Sequence, residues 1–307
     1  MSGLADRAAG CLVGQAYGDA LGVPYEYGSR PLDDVPALLG GGLGDYEPGE
    51  WSDDTQMTVC VALAALDADL GTEAGLDAVA ERFEDWYAGR PADVGVQTAT
   101  VLRDAELLTG SPATRLRAAA RALHERSGRT AGNGALMRAA PVALARHGDA
   151  SAIAAAARAV AELTHTDPLA GDSCVLWCLA IDAALRGDSP DPADHVNVLP
   201  AERRDQWAAW IDAADGAPPS TFADNGFTVT ALQAAWAGIR AGSDFLGAVN
   251  AAIHARGDTD TVAAIAGSLA GAAFGLAAFH DERVARVHGW PGLNADDLAE
   301  IGRRLVS

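Results

Sequence analysis

The chain has 307 residues, 49% of them hydrophobic and 21% charged, with a formal net charge of −20. That balance supplies a folded core and excludes a disordered chain. The acidity argues against nonspecific binding to nucleic acid or to an anionic membrane, both of which repel a surface of their own sign.

Taken in chain order, the first periodic stretch steps glycine every four residues, at Gly10, Gly14, Gly18 and Gly22, and predicts a helix over 8–22. A turn-rich piece covers 28–50. Ala, Leu, Arg and Glu at three- and four-residue spacing then predict helices over 55–70, 75–88, 97–108, 113–126, 151–163, 169–186, 203–214, 228–241 and 244–255. Turns are expected at 89–95, 109–112, 127–134, 187–200 and 215–226. A last helix over 261–277 repeats the glycine step at Gly267, Gly271 and Gly275. Glycine inside a helix costs about 1 kcal/mol relative to alanine. A column of it on one face is expected where another backbone comes very close; the competing reading is a compositional bias toward Ala and Gly. Val262–Phe279 carries no charge and is read as a buried central helix rather than a membrane span.

No break is long or polar enough to be a linker, so residues 1–307 are read as one all-α domain. Cys11, Cys60, Cys174 and Cys178 lie in apolar helical stretches, as reduced core residues do, and complete no zinc pattern. Asp6 and Arg7 interrupt the N-terminal stretch, no leader is legible, and a cytoplasmic location without direct membrane binding is expected.

Two helix starts carry the chemistry. In "WSDDTQMTV", Ser52 stands at an N-cap position and Asp53, Asp54 and Thr55 form the first turn. Acids at a helix start are favoured by the macrodipole, but one would suffice. About 200 residues later "RGDTDTVAAIAG" opens another apolar helix with Asp258, Asp260 and Thr261. Carboxylates and hydroxyls are hard oxygen donors suited to Mg²⁺ or Mn²⁺, and four carboxylates can hold two ions side by side. "DDTQM" also begins like the aspartate-rich motif of terpene-type synthases, but Met57 stands where a further carboxylate is wanted.

Seven pieces occur in one order along the chain: "GCLVGQAYGDALGVPYEYG", "WSDDTQMTV", "DVGVQTATVL", "GNGALMRAAPVAL", "LTHTDPLAGDS", "NGFTVTALQAAWAGI" and "GDTDTVAAIAGSLAGAAFG". Together they resemble the ADP-ribosylglycohydrolases, a family that includes hydrolases of ADP-ribosyl-arginine and ADP-ribosyl-serine. The resemblance implies an orthogonal multi-helix domain with a dinuclear metal site in a central cleft. It assigns the ligands to Ser52, Asp53, Asp54, Asp258, Asp260 and Thr261, with serine at 52 where threonine is common. It makes Glu26, otherwise an ordinary glutamate of "VPYEYG", a candidate acid/base together with Asp54. It also places Gly132, Asn133 and Gly134 at the diphosphate and ribose, Gly95 on the other wall, and His165 near the ribose and phosphates. Phe227, Tyr25 and Tyr27 remain open as partners for adenine.

The reaction the resemblance implies is metal-dependent hydrolysis of the bond between ADP-ribose and a modified group. Asp93, ahead of Gly95, resembles the acid of the arginine-directed bacterial members, so the expected partner is an ADP-ribosylated protein or a small ADP-ribose conjugate. The alternatives are O-linked adducts, on serine, O-acetyl-ADP-ribose or nucleic-acid ends, and a non-catalytic binding or structural relative. The intact acidic motifs favour a hydrolase.

Overall fold

In the computed structural model, which describes residues 3–307, two helices from opposite ends of the chain form the centre. They are α1 (Leu4–Gly22) and α12 (Thr259–Phe274); α1 is buried from Ala8 to Gly22 and α12 from Thr259 to Ala272. Their glycines face each other. A β-carbon on Gly271 would land on the Gly10 carbonyl, and one on Gly267 on that of Gly14. At the site end a β-carbon on Gly22 would lie 2.5 Å from the Asp260 Cα. The close-approach reading of the glycine step therefore holds, with one correction. Gly275 is not interior: α12 ends at Phe274 and Gly275, at φ +80°, turns the chain out of the helix.

The remaining predicted helices appear as α2 (Asp53–Asp67), α3 (Glu73–Ala88), α4 (Val96–Ala105), α5 (Pro112–Ser127), α7 (Ala150–Glu162), α8 (Pro168–Arg186), α9 (Ala201–Ala214), α10 (Thr228–Ala241) and α11 (Phe245–Ile253). Local chemistry sets their ends. Asp167 caps α8 through the Leu169 N–H, Pro168 occupies the first turn, and Gly187 closes it in the left-handed region. Two helices were not expected: the short α6 (Ala140–Ala145), and α13 (Ala295–Leu305) with a capping box between Asn294 and Asp297. The strands, β1 (His288–Gly289) and β2 (Leu293–Asn294), form one antiparallel pair.

Helix α8 is long and apolar enough to cross a membrane by length and composition, yet most of it is buried against its neighbours. The four cysteines are free and buried.

The α1–α12 contact has no room for side chains. Gly14→Leu and Gly271→Leu are each expected to lower unfolding free energy by at least about 1–3 kcal/mol through overpacking, measured by urea denaturation. A neutral result at both positions would return the ladder to compositional bias.

Candidate active site

The first turns of α2 and α12 meet across a cleft of about 310 Å³. Its lining includes Asp53 and Asp54 from α2 and Asp258, Asp260 and Thr261 from the start of α12. The glycine contact sets the start of α12 against α1, the Thr259 hydroxyl fastens that join by donating to the Gly22 carbonyl at 2.9 Å, and Asp19 of α1 in turn accepts from the first turn of α2. Immediately after α1 the chain enters a 3-10 segment that breaks at Glu26 (φ −52°, ψ 128°), and Glu26 joins the lining.

The carboxylates form two overlapping groups. Oxygens of Asp19, Asp54 and Asp260 lie within 4.8 Å of one another, as do oxygens of Glu26, Asp258 and Asp260, so Asp260 belongs to both. Asp53 stands apart from these groups, toward the start of α4, where the Gly95 N–H approaches its Oδ2 at 3.4 Å. Ser52 does not line the cleft. It occupies the N-cap position of α2 without capping it, because its hydroxyl lies 2.8 Å from Asp19 Oδ1 and 3.0 Å from Asp54 Oδ2. Asp258 likewise leaves α12 uncapped; its Oδ2 accepts from Asn133 Nδ2 at 2.7 Å and from the Tyr27 hydroxyl at 3.3 Å. Two helices thus forgo a side-chain cap, an interaction of about 0.5–2 kcal/mol, and use the groups for the site.

Burial and mutual repulsion push these acids up. Glu26 is raised to about 8 by burial and then by Asp258 and Asp93. Asp53 is raised to about 8 by burial and then by Asp93 and Asp19. Asp54, Asp258 and Asp260 are also raised, burial being the first cause for each. The ion pairs of the described residues lie elsewhere, as where Asp172 meets Arg158 and Arg203. Asp54 Oδ1 and Asp260 Oδ1 are buried with no hydrogen-bond partner. Buried, like-charged oxygens with unused lone pairs fit divalent cations, which would satisfy them and cancel their repulsion.

The opposite wall is mostly neutral or donating. Gly95 stands at the N-cap position of α4, whose first turn carries no acid; its own N–H faces Asp53 Oδ2, and Asp93 lies two residues before it. Asn133 and Gly134 open a 3-10 segment, held by the Asn133 N–H bond to the Gly226 carbonyl at 3.1 Å. His165 lies behind them, buried, its imidazole pKa lowered by burial and by Arg138. The Thr164 hydroxyl accepts from Arg138 Nη2 at 2.6 Å and lies 2.7 Å from His165 Nδ1. Arginine only donates, so Thr164 uses one of its two acceptor positions there and meets Nδ1 with its proton or with its second lone pair, according to the tautomer of the ring. The other ring nitrogen, Nε2, is the atom nearest to where a Gly132 side chain would begin, 3.3 Å away.

Every site residue expected from sequence except Ser52 lines this one cleft, with Asp93, Gly95, Gly132 and Gly134 among them. Of the aromatic candidates, Tyr27 lines the cleft and Phe227 pairs its backbone with Gly132 at the edge. Tyr25 is buried outside the lining, its hydroxyl accepting from Ala37 N. Sequence reading did not find Asp19, Gln97 or Asn225. Gln97 ties two strands of loop by donating to the Thr130 and Thr164 carbonyls, and Asn225 accepts from the Asp258 N–H and donates to the Arg256 carbonyl. Asp19 had a legible signal, an acid between Gly18 and Gly22 on the glycine-stepped stretch.

Known proteins are similar to this chain in sequence and in fold. The family model described as ADP-ribosylglycohydrolase matches residues 1–307. The ADP-ribosylarginine hydrolase Tri1 of Pseudomonas putida is 31% identical over 296 residues, covering 92% of this chain and 74% of that protein. The glycohydrolase of ADP-ribosyl-dinitrogen reductase from Rhodospirillum rubrum is 28% identical over 285 residues, covering 88% of this chain and 86% of that one. A solved structure described as an ADP-ribosylglycohydrolase-related protein complex superposes with a TM-score of 0.73 at 27% identity, covering 100% of this chain and 99% of the other.

The raised carboxylates make cation-free stability depend on pH. Glu26 and Asp53 hold protons up to about 8 when folded but titrate in the ordinary carboxylate range when unfolded. Their protonated forms favour the fold at low pH, and that contribution is lost as pH rises toward 8. Bound Mg²⁺ or Mn²⁺ would keep the acids ionised without the penalty. The gain in melting temperature on adding Mg²⁺ or Mn²⁺ should therefore widen from pH 5.5 to pH 8.5 in scanning calorimetry. A gain that does not change with pH would contradict this account.

Proposed function

The chain belongs to the ADP-ribosylglycohydrolase family and is a hydrolase acting on ADP-ribose linkages; from that premise we propose that it removes ADP-ribose from arginine side chains of proteins, using two divalent cations, Mg²⁺ or Mn²⁺. The observation that carries the proposal is the pair of unpartnered buried oxygens, Asp54 Oδ1 and Asp260 Oδ1, in a cleft that also presents Asp93. Relatives named as arginine-directed hydrolases support the choice of linkage.

Asp54, Asp258, Asp260 and Thr261 would hold the cations, joined by the Ser52 hydroxyl behind Asp54 and by Asp53 and Glu26 at the edges of the cluster. Divalent cations held there supply Lewis acidity at the ribose hydroxyls and at the attacking water. The chain's own groups do the remainder. The first turn of α4 and the Gly132–Gly134 turn, with His165 Nε2 behind it, suit the diphosphate, a ligand the acidic lobe repels. The ligand is thereby oriented with its ribose toward the carboxylates.

Glu26 is the proton carrier in this scheme. It lines the cleft, where a carboxylate can take a proton from the attacking water and pass one to the leaving group. A guanidine leaves readily only when protonated, and in this reading Asp93, a carboxylate of the cleft lining, pairs with the guanidinium. A serine-linked adduct would present no such cation to Asp93.

The deciding assay is release of ADP-ribose from arginine-modified and serine-modified proteins, each with and without Mg²⁺ or Mn²⁺. Turnover of the arginine adduct with added cation is expected, and turnover of the serine adduct alone would overturn the linkage. Glu26→Gln should lower turnover by about 10²–10⁴-fold while ADP-ribose still binds in a calorimetric titration. Parental activity would remove Glu26 from the chemistry.

A further inference from the structure

Asp19 is fully buried in α1, one residue from the glycine contact, and each of its oxygens accepts two hydrogen bonds. Oδ1 takes the Ser52 N–H at 2.9 Å and the Ser52 hydroxyl at 2.8 Å. Oδ2 takes the Thr55 N–H at 2.9 Å and the Thr55 hydroxyl at 2.6 Å. A carboxylate has about four acceptor positions, and here all are used on one turn of α2. Asp19 therefore has no lone pair left for a cation, although its oxygens lie within 4.8 Å of those of Asp54 and Asp260. The contrast with its neighbours is direct, because Asp54 Oδ1 and Asp260 Oδ1 have no partner at all.

Ser52 makes the arrangement informative. Its hydroxyl has one proton and stands between two carboxylates, Asp19 at 2.8 Å and Asp54 at 3.0 Å. The Asp19 bond is the shorter and sits on a carboxylate already committed to the same residue's N–H. With the proton on that side, the oxygen turns its lone pairs toward the edge it shares with Asp54, which is what a cation requires of a hydroxyl ligand.

We propose that Asp19 is a positioning residue that clamps the Ser52–Thr55 turn and draws the Ser52 proton away, so that Ser52 Oγ and Asp54 present lone pairs to one cation. The inference rests on the cation reading of the acidic cluster given above. It assigns Asp19 to a layer behind the ligands.

The test uses cation-stripped protein titrated with Mn²⁺, with free Mn²⁺ followed by electron paramagnetic resonance. Circular dichroism and melting in EDTA check the fold. Asp19→Asn puts an amide among four donors and should weaken Mn²⁺ binding by about 10–100-fold, the usual effect of losing an outer-layer partner. Removing a nearby negative charge would also weaken binding, so the decisive comparison is with Ser52→Ala. If Asp19 acts through Ser52, the double variant Asp19→Asn/Ser52→Ala should bind little worse than Asp19→Asn alone; losses that simply multiply would overturn the proposal. Thr55→Val keeps the charge of Asp19, removes one clamping bond and disturbs the fold least. It should weaken Mn²⁺ binding in the same direction by a smaller factor, and parental affinity would overturn the proposal even if Asp19→Asn fails to fold. Absence of Mn²⁺ binding by the parent protein would instead overturn the underlying cation reading, an outcome recognisable because no variant would then differ.

Discussion

The site depends on two backbones touching. Helices α1 and α12 approach so closely that a single β-carbon at Gly10, Gly14, Gly267 or Gly271 would strike a carbonyl or the chain beside it. This contact sets the separation between Asp19 and Glu26 on one side and Asp258 and Asp260 on the other. Side-chain packing alone would leave helix axes 8–10 Å apart, with the carboxylates correspondingly spread. Glycine gives up helical propensity along both helices, and in return the ligand set is held by main chain rather than by flexible side chains.

That rigid frame concentrates charges that repel. In an apolar core such acids would be paired or lost, because an unpaired buried charge is expensive. The cleft instead gathers Glu26, Asp53, Asp54, Asp258 and Asp260 around the starts of α2 and α12, with Asp93 next to Gly95, while Gly132, Asn133, Gly134 and His165 supply neutral or donating groups. The buried cation Arg138 is spent elsewhere: it stacks on Phe83 and bonds Thr164, and its charge helps burial to keep His165 neutral. The cleft therefore offers a ligand two unlike surroundings, one rich in carboxylates and one in neutral and donating groups.

Much of this was legible in the sequence, for reasons that differ by residue. Asp53, Asp54, Asp258 and Asp260 were readable because carboxylates repeated at a helix start exceed what the macrodipole needs. The long helices followed from periodicity. Asp19 was not readable in the same way, since one acid in a helix resembles a solvated position until its burial is known; only its place between ladder glycines distinguishes it. Asn225 and Gln97 act through main-chain carbonyls distant in sequence, which no spacing rule reaches. Helix α6 has six residues, too few to establish a period. Helix α13 does carry Leu298, Ile301 and Leu305 on one face behind its capping box, a pattern overlooked near the chain end.

The pairing of α1 with α12 also dictates an order of events during synthesis. The glycine face of α1 emerges first, and its partner begins only at Thr259. At about 5–20 residues per second, that face waits roughly 10–50 s for the surface that covers it. Until then neither acidic group is complete, because both include Asp260. The nascent chain consequently carries only part of the acidic cluster until Asp260 has been made, and neither group can assemble before α12 packs on α1.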